Sequence, residues 1–259
     1  METLISLYEL RTHLGFAPQD TRDDVRLIQC MVSVTALLQR FTQRQFFPRV
    51  EQRTLTHEQG GREIILPSDL LTLESVHLHE VNIPLDKITL IPTNAPYGIL
   101  RFSPDVALAR DDSLKVRGVW GWHDAADQMW RPTEDAIFLH PFLNATSTII
   151  PLTDVDAPLS GTLAPRFQVG QLLRIDDEMM IVLAINSGTN TIHVQRGVLG
   201  SALASHANGS MPLYFQPPHD LQYALLVWAG MWYRHPDTLA LPPEIQMLIA
   251  GLRREQVAV

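Results

Sequence analysis

Residues 20–45 read DTRDDVRLIQCMVSVTALLQRFTQRQ. Apolar groups fall at Val25, Ile28, Met31, Val32, Leu38 and Phe41, with Thr35 in the same series. Steps of three and four predict a helix with one buried stripe. Thr21, Asp23 and Asp24 put a capping oxygen and negative charge at its start, where free N–H groups need them. Upstream, Ser6 with Glu9 three residues on and Gly15 after the last turn predict a shorter helix.

Downstream the periodicity changes. From Pro48 to Trp122 short β-type runs alternate with turn residues: Glu63–Leu66, Glu74–His79, Gly98–Phe102 and Ser113–Trp120. Pro67, Pro84, Pro92, Pro96 and Pro104 punctuate them, and proline lacks the N–H that a central strand needs. The expectation is a small, mostly antiparallel sheet.

A second β-region runs from about Asp135 to Gln216. Gly170–Ile175 and Glu178–Ile185 flank an acidic turn at Asp176–Asp177, and a loop at Asn186–Asn190 leads into Thr191–Arg196. Residues 200–209, GSALASHANG, form a turn-rich stretch, and Met211–Phe215 reads as a closing strand. Helical spacing then resumes. Pro217 and Pro218 open a helix whose face is Leu221, Ala224, Leu225, Trp228, Met231 and Trp232, and Pro236 stops it. A last helix follows Pro242 and Pro243, with Ile245, Leu248, Ile249 and Leu252 in line. The fold class expected is α+β: a helical bundle with a small antiparallel sheet, plus an inserted all-β module.

Composition limits the function. At 259 residues with 46% apolar content the chain can build a core, which excludes wholesale disorder. Cys30 is the only cysteine, so neither an intrachain disulfide nor a cysteine-rich zinc site is possible. The longest apolar stretch, Tyr223–Tyr233, is about half a bilayer span. The start, METLISLYELRTHLG, has no basic n-region, so no signal peptide is expected and the protein reads as soluble and cytoplasmic. With 28 acidic against 20 basic residues the formal charge is −8, the wrong sign for gripping phosphate.

Chemistry-bearing motifs are sparse. There is no G-x-S-x-G elbow, and Gly118-Val-Trp-Gly121 and Gly60-Gly61 lack the spacing of a phosphate loop. His77 and His79 share a strand face but lack a third ligand nearby. Asp176, Asp177 and Glu178 fit no calcium loop and read as a solvated hairpin tip. His206 has no paired nucleophile and reads as a packing or hydrogen-bonding residue, and Cys30 as a small hydrophobe. No catalytic residue, metal site or cofactor is expected.

Two ordered strings of residues carry a resemblance. The first is Tyr8-Glu-Leu10-x-x-x-Leu14-Gly15, then Phe41-Thr-x-Arg44-x-Phe46, Gly61-Arg62-x-Ile64-Ile65-Leu66-Pro67, Asn94-Ala95-Pro96-Tyr97 and Val116-Arg117-Gly118-Val119-Trp120-Gly121-Trp122. It resembles the head–tail connector (adaptor) proteins of tailed bacteriophages. In that family the Gly–Trp–Gly strand leads almost directly to a Pro–Pro–acidic helix, which here begins at Pro217. Residues 1–133 and 217–259 are thus expected to form a discontinuous adaptor domain, and 134–216 an inserted β-domain. The second string is Val169-Gly170-x-x-x-x-Ile175-Asp176-x-Glu178, then Asn190-Thr191-Ile192-x-Val194-x-Arg196-Gly197-x-x-Gly200 and His206-x-x-Gly209. It is similar to a small β-module recurring in phage tail and head-completion proteins.

The resemblance implies a non-enzymatic virion protein at the head–tail junction, assembled in the host cytoplasm. It implies a ring of about a dozen copies that joins the portal vertex to the tail and lets DNA pass without specific binding. The implied partners are the portal protein, a tail terminator, stopper or neighbouring tail protein, and other copies of the chain, with no membrane. Arg253, Arg254, Gln256 and Val257 are the expected portal contacts, and Arg40, Arg44, Trp228 and Trp232 the expected inter-subunit residues, with intramolecular pairing to Asp or Glu the alternative for the Arg40–Arg44 cluster. The competing assignments are a tail-side or stopper component and a host-surface or glycan-binding module.

Overall fold

The computed structural model describes residues 2–17, 20–58, 60–138, 142–237 and 241–254. The chain divides into two compact units, Gln43–Asp127 and the pair of segments Met1–Thr42 and Gln128–Val259.

The N-terminal helices belong to the second of these units. In α1 (Leu7–Leu14) Ser6 and Glu9 form a reciprocal capping box, and Gly15 closes the helix at φ 78°, as the sequence predicts. In α2 (Asp24–Thr42) the buried line is Leu27, Met31, Val34, Thr35, Leu38 and Thr42. Val25, 73% exposed, and Val32 and Phe41 face outward, so the expected stripe is displaced around the helix. Both faces carry apolar residues, and Thr42 buries its hydroxyl by donating to the Leu38 carbonyl at 2.8 Å. Arg11 at the end of α1 pairs with Asp24 at the start of α2, each charge complementing its helix dipole.

The unit Gln43–Asp127 is one antiparallel sheet. Its strands are β1 (Arg49–Thr56), β2 (Glu63–Leu78), β3 (Val81–Ile83), β4 (Ile88–Ile91), β5 (Tyr97–Phe102) and β6 (Ser113–Trp120), in the order β1-β6-β2-β5-β4 with β3 also on β2. Pro67 lies inside the central 16-residue β2. A bulge between Ile65 and Leu70 leaves it outside the register, so no ladder bond is lost. One side buries Leu55, Ile64, Leu66, Leu70, Val76, Leu100, Phe102, Leu114, Val116 and Trp120. The Trp120 indole donates to the Glu51 carbonyl at 3.1 Å, and the Arg53 guanidinium covers its ring at 4.3 Å. Gly118 is required by close approach: a Cβ there would sit 2.2 Å from the Thr72 carbonyl oxygen.

The remaining strands are β7 (Trp130–Pro132), β8 (Phe142–Leu143), β9 (Ile149–Pro151), β10 (Leu172–Ile175), β11 (Glu178–Asn186), β12 (Thr191–Arg196), β13 (His206–Ala207) and β14 (Leu213–Phe215). Six of them make a sheet in the order β7-β14-β10-β11-β12-β9, and β13 pairs β8. All pairings are antiparallel. β7 precedes residue 134, yet it is an edge strand of this sheet. The core holds Ile137, Leu143, Ile150, Phe167, Leu173, Ile175, Met180, Val182, Ile192 and Val194. The chain ends in α3 (His219–Arg234) and α4 (Pro243–Leu252), with α3 packed against α1, α2 and α4.

This architecture corrects the expected fold class. Among the described residues the protein is mostly antiparallel β, with three sheets, 14 strands and four helices; strand makes up 33% and helix 25%. It is not a helical bundle with a small sheet. The prolines that suggested short, separate strands are absorbed by bulges and loops, as at Pro67, and the region from residue 130 to 215 adds eight strands of its own.

Candidate functional site

The densest polar constellation lies in the sheet of β10, β11 and β12. Alternation along β11 places Glu178 on the same face as the core residues Met180 and Val182. Alternation along β12 places Arg196 beside the core residues Ile192 and Val194. Register puts Arg196 opposite Met180, so the two charges meet on the diagonal. Arg196 Nε donates to Glu178 Oε1 at 2.9 Å, and Nη2 lies 2.5 Å from Oε2. Both side chains are buried, at 3% and 0% exposure.

Backbone and His206 complete the shell. Glu178 accepts N–H bonds from Gly197 at 3.1 Å and Ala204 at 2.9 Å, and the carbonyls of Asn144 and Ser147 accept from Arg196 at 2.6 and 3.2 Å. His206 has one ring nitrogen 2.9 Å from Glu178 Oε2 and the other 2.7 Å from Asp176 Oδ2. Burial works to raise the Glu178 pKa. The guanidinium, the Ala204 N–H and His206 outweigh it, and the carboxyl is held below its ordinary value. The cluster pins the 197–206 loop to the sheet. The expected solvated hairpin tip is therefore half right: Asp176 and Asp177 are exposed, whereas Glu178 is the buried centre.

A second relay joins three segments of the same unit. Glu9 accepts from the Ser6 N–H at 2.7 Å and from the Gln222 amide, and Gln222 accepts from Gln216 at 3.0 Å. Burial pushes the Glu9 carboxyl above its usual range. Tyr233 at the end of α3 donates to Asp23 at 2.8 Å, lies under the Arg26 guanidinium and stacks edge-on against Phe16.

The residues singled out from sequence are divided between the two units. Arg44 donates to Asp69 at 2.7 Å and stands over the Trp122 ring, inside Gln43–Asp127. Arg40 is exposed on α2. Trp228 is buried, Trp232 half-buried, and their rings meet edge-on at 5.8 Å. Among the described residues neither indole N–H finds an acceptor. Arg253 is exposed after α4, and the Arg254 N–H donates to the Thr42 carbonyl at 3.0 Å. Gln256 and Val257 lie outside the described residues. His79 leaves the strand at φ 48° and meets Asp112 rather than joining His77. Burial pushes the Cys30 thiol up, as for an inert side chain.

Among the described residues no group of three His, Cys, Asp or Glu side chains is placed to hold a metal ion. No described helix is long and apolar enough to cross a membrane. No family model matches the sequence, and no curated protein does.

Proposed function

We propose that this chain is a structural virion protein whose copies form a ring joining the portal vertex of a tailed phage to its tail, with DNA passing through the centre. The observation that carries the reading is the role of the two motif strings. Several of their residues serve packing, while others, among them Phe41, Arg62, Ile65 and Val169, are exposed. Gly118 admits the β2 backbone, Gly121 the Phe47 carbonyl, and Trp120 fills the core. Glu178, Arg196, Gly197 and His206 lock one loop to a sheet. Residues spent in this way suit a protein selected for rigid shape and repeated contacts. The outward residues Val25, Val32 and Phe41 on α2, Tyr223 on α3 and Met247 on α4 supply apolar surface for such contacts.

The formal charge of −8 suits a conduit, because a wall repeating it in every copy repels phosphate and does not trap the duplex. The test is to mix the purified chain with an isolated portal ring and image the product by negative stain. Added density on the narrow end of the portal is the expected result. A portal left bare while the chain decorates tail tubes would make it a tail-side component, and binding to a glycan array instead would make it a host-surface module.

A further inference from the structure

His206 is placed so that its bonding depends on its own proton count. Its side chain is fully buried, yet both ring nitrogens face carboxylates: Nδ1 lies 2.7 Å from Asp176 Oδ2 and Nε2 lies 2.9 Å from Glu178 Oε2. An ionised carboxylate only accepts, whereas a neutral imidazole has one donor and one acceptor nitrogen. Both contacts are hydrogen bonds only when both ring nitrogens carry protons. In the neutral ring one lone pair would face a carboxylate oxygen inside a buried site, which leaves a polar atom unsatisfied.

The two carboxylates respond unequally. Glu178, on β11, is held by Arg196 of β12 and by the Gly197 and Ala204 N–H groups. Asp176, in the turn between β10 and β11, is 63% exposed and can swing into water. Residues 197–205 and β8 (Phe142–Leu143), the other segments beside the ring, carry no ionisable side chain. Loss of one proton therefore breaks the Asp176 side. His206 also opens β13, where it pairs with Leu143 of β8. The loop that leads to it is strained, since the buried Leu199 takes the left-handed values φ 53° and ψ 31°, and such a segment holds only while its contacts hold.

We infer that His206 is a pH-sensitive latch. Doubly protonated, it ties the β10–β11 turn to β13; on losing one proton it releases Asp176 and loosens the β13–β8 pair. The contribution belongs to the charged ring, so it is present on the acid side and lost as pH rises through the titration of this histidine. That sign is opposite to the loss on the acid side expected from Glu178, whose carboxyl is held below its ordinary value. The latch lies within one unit and operates whether or not the chain forms a ring.

Nitrogen-15 NMR of the His206 ring, with amide hydrogen exchange on the full chain, tests this in wild type and Asp176→Asn from about pH 5 upward. Residue 176 is exposed and has φ 52°, a conformation that asparagine adopts readily, so the variant keeps the turn. Its amide can donate to a neutral Nδ1, which the carboxylate cannot. In wild type the ring is expected to hold both protons at about pH 5 and to lose one in a single step. Across that step, protection of the slowly exchanging amides in 142–143 and 205–209, corrected for the intrinsic pH dependence of exchange, should fall at least about tenfold. Asp176→Asn should hold its protection level through the same range. A wild-type ring that never carries both protons, or keeps both until the chain unfolds, would overturn the latch. So would level protection in wild type, or an equal fall in Asp176→Asn.

Discussion

Replacing Glu178 by Gln keeps the side-chain volume and removes the charge that Arg196 is buried against. The guanidinium, only 3% exposed, keeps its carbonyl acceptors but loses the bidentate carboxylate. The Gly197 and Ala204 N–H groups and His206 lose a charged acceptor as well. Breaking a buried pair from one side costs about 3–5 kcal/mol, because the remaining charge is stranded. At roughly 2–4 °C per kcal/mol for a chain of this size, the melting temperature should fall by about 6–20 °C. Scanning calorimetry on wild type, Glu178→Gln, Arg196→Met and the double variant is the assay, with the double variant costing less than the sum of the singles. A Glu178→Gln loss under about 1 kcal/mol, the level of an exposed ion pair, would refute the assignment of this cluster as the lock of the module.

The same carboxyl sets a pH dependence. Its folded value lies below the unfolded value of about 4.3, so its contribution is present above that pH and is lost as pH falls through the folded value. Acid melts of wild type should therefore steepen below about pH 4.5, and Glu178→Gln should flatten that limb. Gly118→Ala forces a Cβ onto the Thr72 carbonyl oxygen and should cost about 1–3 kcal/mol or more by urea unfolding, whereas Gly98→Ala, with open space around it, should stay within about 0.5 kcal/mol. Deleting residues 253–259 should leave the helical signal unchanged and abolish portal binding in a pull-down; retained binding would remove this segment from the contact. Labelled duplex DNA at about 100 mM salt should bind no more tightly than non-specific proteins do, at roughly 10⁻⁴–10⁻⁶ M, and sub-micromolar binding would make the protein a DNA-gripping component.

Local signals carried well where the chemistry is local. The Ser6–Glu9 box and Gly15 end α1 as read, and β6 and β12 have the limits that their alternation predicts. The α2 face is offset from the expected one because Val25, Ile28 and Val32 widen the apolar surface to one side of Met31, Thr35 and Leu38, and only packing decides which edge turns inward. Pro67 hid the length of β2, since a bulge two residues from the last paired position cannot be read from composition. The Glu178–Arg196 pair did leave a signal: each charge continues an alternating apolar row, Met180–Val182 on one strand and Ile192–Val194 on the next. Its depth was hidden because Asp176 and Asp177 make the neighbouring turn look wholly solvated. Arg44 illustrates the converse, a motif residue whose intramolecular partner Asp69 lies 25 positions away, beyond any local pattern.

Negative-stain electron microscopy of the purified chain at concentrations where it self-associates tests the central claim most directly. The account predicts closed rings of uniform copy number with an open central channel. Monomers at every concentration, closed particles without a channel or open filaments would contradict it.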